Sequence, residues 1–214
     1  MAEHELAKWI LDRFAEQKLF CDHGPDVAVG ANAANPHYAP SAAAPRPITT
    51  GDSLLIDLWA REENAHGTYA DQTWMASIGA PSPRLLEVWN AVKDARDAGI
   101  KLVQDSVAAG KPVRGSEIDD ASRAVIQSRG FAEYFTHRTG HSIDPRDLHG
   151  SGPNIDNLET REERLLLPGV AFSIEPGIYI AGEIGVRSEV NMYIEPGRAV
   201  VTPAEYQRDL IVVE

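Results

Sequence analysis

The 214-residue chain has one cysteine, Cys21. It can therefore close no intrachain disulfide and build no thiolate metal cluster, and a reducing compartment is the simple inference. No stretch approaches the ~18 consecutive apolar residues that a membrane helix needs. The amino-terminal MAEHELAKWI is charged and amphipathic, without an apolar secretory core. A cytoplasmic protein with no membrane partner is expected. Basic residues are scarce as well: 20 Lys and Arg stand against 32 Asp and Glu, a formal charge of −12. That balance repels phosphate backbones and leaves no basic stripe for nucleic acid. At 43% hydrophobic the chain can bury one full core, so a single domain over 1–214 is expected.

Leu6, Trp9, Ile10, Phe14 and Leu19 fall at helical spacing, which predicts an amphipathic helix over 5–17. Gly, Pro, Ala and Asn dominate 24–50 and read as loops and short extended pieces. Ser53–Ala60 (SLLIDLWA) and Tyr69–Ile78 (YADQTWMASI) read as strands joined by the polar REENAHGT. Ser82-Pro83 caps a long helix with Leu85, Trp89, Val92, Ala95, Leu102 and Val103 on its apolar face, ended by Gly110 and Pro112. A second helix follows, with a capping box expected between Ser116 and Asp119, an apolar face of Ile118, Val125 and Ile126, and a stop at Gly130. VAFSIEPGIYI and GVRSEVNMYI read as another strand pair, the first interrupted by Pro176, and DLIVVE as a last strand.

One spacing occurs twice. Gly51, Asp57 and Asp71 are separated by six and fourteen residues, and Gly169, Glu175 and Glu189 by the same six and fourteen. Each block reads as a turn glycine, a strand carrying an acid, a hairpin turn and a second strand carrying another acid. The helices near Glu3 and at Ser116 precede these blocks. An internal duplication is the expectation, with a first half at about 1–80 and a second at about 81–214, related by a pseudo-two-fold. The long helix over 83–109 precedes the second half only. A matching helix, and any domain before it, is therefore expected upstream of this chain, and a face left bare by its absence would favour a homodimer.

A single acid in a strand ordinarily faces solvent. Four of them flanked by residues such as Ile56, Leu58 and Ile174 are another matter, since a lone buried carboxylate costs several kcal/mol unless it takes up a proton or meets a cation. The segment FTHRTGHSIDPRDLHGSG adds three of the seven histidines: His137, His141 and His149. One imidazole joined to four carboxylates makes a mixed N/O set suited to Mn, Fe, Co or Zn. Such a set describes a two-metal centre whose shared water becomes a hydroxide and attacks an acyl carbon.

At these residues the sequence resembles the pita-bread metallopeptidases, the family of methionine aminopeptidase, aminopeptidase P, prolidase and creatinase. The motifs are PHY at Pro36–Tyr38, IDLWA around Asp57, ADQTW around Asp71, HRTGHS around His141, and SIEPGIY with GVRSE around Glu175 and Glu189. The resemblance implies an α+β pita-bread fold with duplicated halves, a curved and mainly antiparallel sheet covered by helices. It implies that Asp57 chelates one metal, that Asp71 and Glu189 bridge both, and that His141 and Glu175 complete the shells, Glu175 also handling the proton of the bridging water. His37 and His149 correspond to the histidines that hold the substrate carbonyl and the oxyanion, with His137 beside them in the proton or substrate path. Arg187 is expected to orient Glu189 from behind. Tyr179 is assigned to the core, and His4, His23 and His66 to solvent. PHY and GVRSE point to the Xaa–Pro branch, hence to two divalent ions, Mn2+ first with Co2+, Zn2+ or Fe2+ as alternatives, and to a peptide with proline second. The competing readings are a methionine aminopeptidase-like peptidase, a metal-free creatinase-like hydrolase, and a binding module on the same fold.

Overall fold

The computed structural model describes residues 1–214. Helix α1 (Glu3–Glu16) leads into β1 (Leu19–Phe20), β2 (Asp26–Val29) and a 3-10 turn over Gly30–Ala34. The long hairpin β3 (Ser53–Glu62) and β4 (Ala70–Ile78) follows, then α2 (Pro83–Ala108) and α3 (Gly115–Ser128). Short strands β5 (Ser142–Ile143), β6 (Ala171–Ile174), β7 (Gly177–Ile180), β8 (Ile184–Arg187), β9 (Val190–Glu195), β10 (Arg198–Thr202) and β11 (Ile211–Val213) complete the chain.

The strands form one sheet in the order β1-β3-β4-β11, with β2 also on β3, a second in the order β10-β9-β6-β5, and the β7-β8 hairpin. All pairs are antiparallel except β11 on β4. The sheets meet at the acids, where the Glu189 amide donates to the Thr73 carbonyl at 3.2 Å and the Asp71 amide to Asn191 Oδ1 at 2.9 Å. Helix α2 spans both sheets, about 39 Å at 1.5 Å per residue. Its first half buries Leu85, Val88, Trp89 and Val92 with Leu55, Met75, Ile178 and Val186, and its second buries Ile100 and Val103 with Phe172, Ile174, Val190 and Met192.

α1 and α3 are each 14 residues long. In both, a glutamate three residues past the N-cap accepts the N-cap amide: Glu5 from Ala2 at 2.7 Å and Glu117 from Arg114 at 2.8 Å. The capping box expected at Ser116 and Asp119 therefore sits two residues earlier. Asp119 is instead fully buried and braces the histidine segment, accepting from the Thr139 amide and hydroxyl at 2.9 and 2.6 Å and from Arg123. On α1, Trp9 is 52% exposed and the buried stripe runs through Glu3, Ala7 and Ile10. Leu19 belongs to β1 because Lys18, at φ 57°, ends the helix. His4 is half-buried rather than solvated, its Nδ1 enclosed without a partner, whereas His66 is exposed.

Two glycines fix the approach of the site loops. A Cβ on Gly140 would lie 2.1 Å from the Ser173 carbonyl oxygen, and one on Gly185 would lie 1.7 Å from that of Ala33. The first lets the chain enter His141 flush against β6, and the second lets β8 press on the 3-10 turn that leads to His37.

Candidate active site

Asp57 and Asp71 project from β3 and β4. The ladder β6–β9 ends at the Ile174–Val190 pair because Pro176 has no amide to extend it, which frees Glu175 and Glu189 from strand geometry. Asp57, Asp71 and Glu175 border a cavity of about 510 Å3, together with His37, His137, His141, His149 and Arg187. Ligand atoms of Asp71, His141 and Glu189 all lie within 4.8 Å of one another. His141 Nε2 is 3.3 Å from Asp71 Oδ2 and 3.4 Å from Glu175 Oε1.

The imidazole bears on what the cluster could hold. His141 Nδ1 is 3.0 Å from the Ser142 carbonyl and donates to it, which leaves Nε2 facing two carboxylates. Only a proton or a cation can relieve the crowding of these three atoms. Three carboxylate oxygens nearby, Asp57 Oδ1, Asp71 Oδ1 and Glu189 Oε1, are buried with no hydrogen-bond partner. Buried orphan acceptors of this kind need a proton or a cation, and carboxylates with one imidazole are the donor set of a divalent transition metal.

The same crowding moves the acids. Burial pushes Asp71 up to about 7, against the pull of its His141 contact. Burial and the charges of Asp71 and Glu175 push Glu189 well above the usual carboxylate range. Asp57 is raised by burial against the opposing pull of Arg187. Burial draws His141 down, but Asp71 and Glu175 outweigh it and leave it above its ordinary value.

Metal uptake should therefore release protons. In the metal-free chain Asp71 ionises from ~3.9 when unfolded but only near 7 when folded, so its contribution to stability falls as pH rises through that window, while metal affinity climbs. Calorimetric titration with Mn2+ at about pH 6 and about pH 8, in buffers of different ionisation heat, should show tighter binding at the higher pH with proton release. Equal affinity at both would contradict this protonation state.

Arg187 faces Asp57 rather than Glu189. Its guanidinium donates to Asp57 Oδ2 at 2.5 Å, to the Tyr179 hydroxyl at 2.9 Å and to Thr73 Oγ1 at 3.0 Å, and Thr73 in turn donates to Glu189 Oε2 at 2.9 Å. Tyr179, assigned to the core from the sequence, is buried but lies in this network. His137 Nδ1 is 2.7 Å from the Arg138 carbonyl and must donate to it, so Nε2 accepts from the Tyr179 hydroxyl at 2.8 Å. Burial and the Arg187 charge push His137 down to about 3, and neither ring nitrogen is left for a substrate. His149 stands edge-on to His141 at 4.2 Å between ring centroids, and burial with the His141 charge pushes it down to about 4. His37 lines the cavity from the exposed side.

His23 and Asp22, not assigned to the site from the sequence, border the cavity too. Asp22 Oδ1 accepts from Trp59 Nε1 at 2.8 Å and lies 3.0 Å from His23 Nδ1, and His23 packs on the Trp59 ring at 4.5 Å. Arg96, fully buried on α2, donates to Ser188 Oγ at 2.6 Å and the Gln207 carbonyl at 2.8 Å, anchoring the turn between Arg187 and Glu189. No local pattern marked it.

Residues 1–196 match metallopeptidase family M24, and the chain belongs to that family. Among curated relatives, an Xaa-Pro dipeptidase of Lactobacillus delbrueckii subsp. lactis is 36% identical over 163 residues, covering 76% of this chain and 40% of the relative. The fold is the pita-bread fold of solved neighbours. A dipeptidase from Pyrococcus horikoshii OT3 superposes with a TM-score of 0.86 at 33% identity, covering 100% of this chain and 55% of that one. An X-Pro aminopeptidase from Thermotoga maritima MSB8 gives 0.86 at 29%, covering 100% and 56%. The chain spans about half the length of the curated relatives it matches. No helix is long and apolar enough to cross a membrane.

Proposed function

We propose that this chain carries the catalytic centre of a metal-dependent peptidase that cleaves the bond between an amino-terminal residue and proline. The observation that carries this reading is the convergence of His141 Nε2 with the acids, where buried oxygens of Asp57, Asp71 and Glu189 have no partner. Asp57, Asp71, His141, Glu175 and Glu189 would hold two divalent ions, manganese first among them on the mixed O and N donor set. Such ions polarise a scissile carbonyl and make a water nucleophilic near neutral pH.

The remaining work falls to side chains. Glu175 accepts from Ser173 Oγ at 3.0 Å through Oε1 and borders the cavity with Oε2 free, so it can take a proton from the attacking water and pass it to the leaving nitrogen. His149 and His37 flank the cavity as imidazole donors for the charge that develops on the carbonyl oxygen. His137 acts at one remove: it holds the Tyr179 hydroxyl, which with Thr73 and Asp57 fixes Arg187. A leaving proline nitrogen has no hydrogen of its own and must be protonated as the bond breaks, which makes the Glu175 proton essential. The test is a panel of Ala-Pro, Ala-Pro-Ala and Ala-Ala on Mn2+-loaded chain. Hydrolysis of the proline peptides supports the reading, and cleavage of Ala-Ala alone overturns the proline assignment.

A further inference from the structure

Of the four acids on the cavity wall that the metal centre does not use, Asp22, Asp147 and Glu159 are exposed and Asp26 is half-buried. It opens β2 directly opposite Asp57 in the antiparallel ladder, so the two carboxylates stand on neighbouring strands at the same level. It borders the main cavity and the small recess behind it. Its side chain makes no hydrogen bond and no salt bridge, unlike Asp22, which is held by Trp59 and His23. Of the basic groups around it, Arg187 is committed to Asp57, Tyr179 and Thr73, and His23 Nδ1 lies 3.0 Å from Asp22 Oδ1.

A carboxylate placed this way asks for a cation that arrives with the substrate. The second observation lies next to it: Asp57 Oδ1 is buried, unpartnered and on the same wall. We propose that Asp26 receives the amino-terminal ammonium of the peptide beside Asp57, and that it makes the site selective for a free amino terminus. The assignment rests on the peptidase reading above. An ammonium at this place would anchor the first residue, leaving the following carbonyl over Asp71, His141 and Glu175, whereas an acylated amino terminus would leave Asp26 charged and unpaired.

Asp26→Asn is isosteric, breaks no hydrogen bond and removes a like charge beside Asp57, so the variant should melt no lower than the parent chain. On Mn2+-loaded protein its KM for Ala-Pro should rise roughly tenfold or more with kcat within about threefold, the size expected for one lost charged contact. The preference for Ala-Pro over its N-acetyl form should fall by the same factor, and Asp26→Ala should behave alike. An unchanged KM and preference in both variants overturns the proposal, as does a loss of bound metal, which would make Asp26 a ligand. If the parent chain hydrolyses neither peptide, the peptidase reading fails by itself. Calorimetric titration of the same two peptides then decides: a free-amine preference lost in Asp26→Asn supports the ammonium site, and no preference in the parent refutes it.

Discussion

Replacing Glu175 by glutamine should leave the fold intact and cut hydrolysis of an Xaa–Pro peptide by roughly two orders of magnitude or more, because one side chain loses both its proton-carrying and its charged-ligand role. The shape is conserved, and the Ser173 hydroxyl can still donate to the amide oxygen in place of Glu175 Oε1. Stability should therefore stay close to the parent, which separates a chemical defect from a folding one. Steady-state kinetics on Mn2+-loaded protein, with thermal melts alongside, measure both. Turnover near the parent value would show that Glu175 neither binds metal nor moves the proton.

The second large effect is on stability. Arg187 is 4% exposed and is the cation that Asp57 contacts. Arg187→Met fills much of its volume but strands the buried Asp57 carboxylate, with Asp26 and Glu175 close by. Removing one partner of a buried pair costs about 3–5 kcal/mol. The cost should appear in denaturant unfolding of the metal-free variant at neutral pH. It should shrink as pH falls, because the raised Asp57 carboxyl takes up a proton and then needs no counter-charge. Added Mn2+ should restore part of the loss by binding only the folded chain. A loss under about 1 kcal/mol would mean that the pair contributes no more than an exposed one.

Much of this site is legible in the sequence, for a physical reason. Strand acids flanked by Ile56, Leu58 and Ile174 violate local burial preference, and a violation repeated at one spacing stands out without any knowledge of tertiary structure. The hairpins, α2 with its Ser82 cap and Pro83, and the break at Pro176 follow from local rules that the structure obeys.

What the sequence hides is long-range pairing. Arg187 and Glu189 lie two apart in what reads as one strand, so alternation puts them on one face. In the structure Ser188 divides the stretch: β8 pairs with β7 and β9 with β6, and Arg187 turns to Asp57 on another sheet. Tyr179 is spelled as a core aromatic, and its polar end becomes visible only once His137 and Arg187 are brought to it over separations of 42 and 8 residues. Asp26 stands in a Gly/Pro-rich segment that reads as loop, and only the ladder with β3 sets it opposite Asp57. Asp119 looks like a helix cap because its spacing from Ser116 is right, yet its partners are Thr139 and Arg123.

Asp57, Asp71, His141, Glu175 and Glu189 are proposed to hold catalytic metal. Elemental analysis of the chain, purified without chelator, dialysed against Mn2+ and then desalted, tests this most directly. The expected result is about two divalent ions per chain, falling to one or none when Asp71 is replaced by Ala. A chain that stays metal-free under these conditions, or an Asp71→Ala variant that loads as fully as the parent, would contradict it.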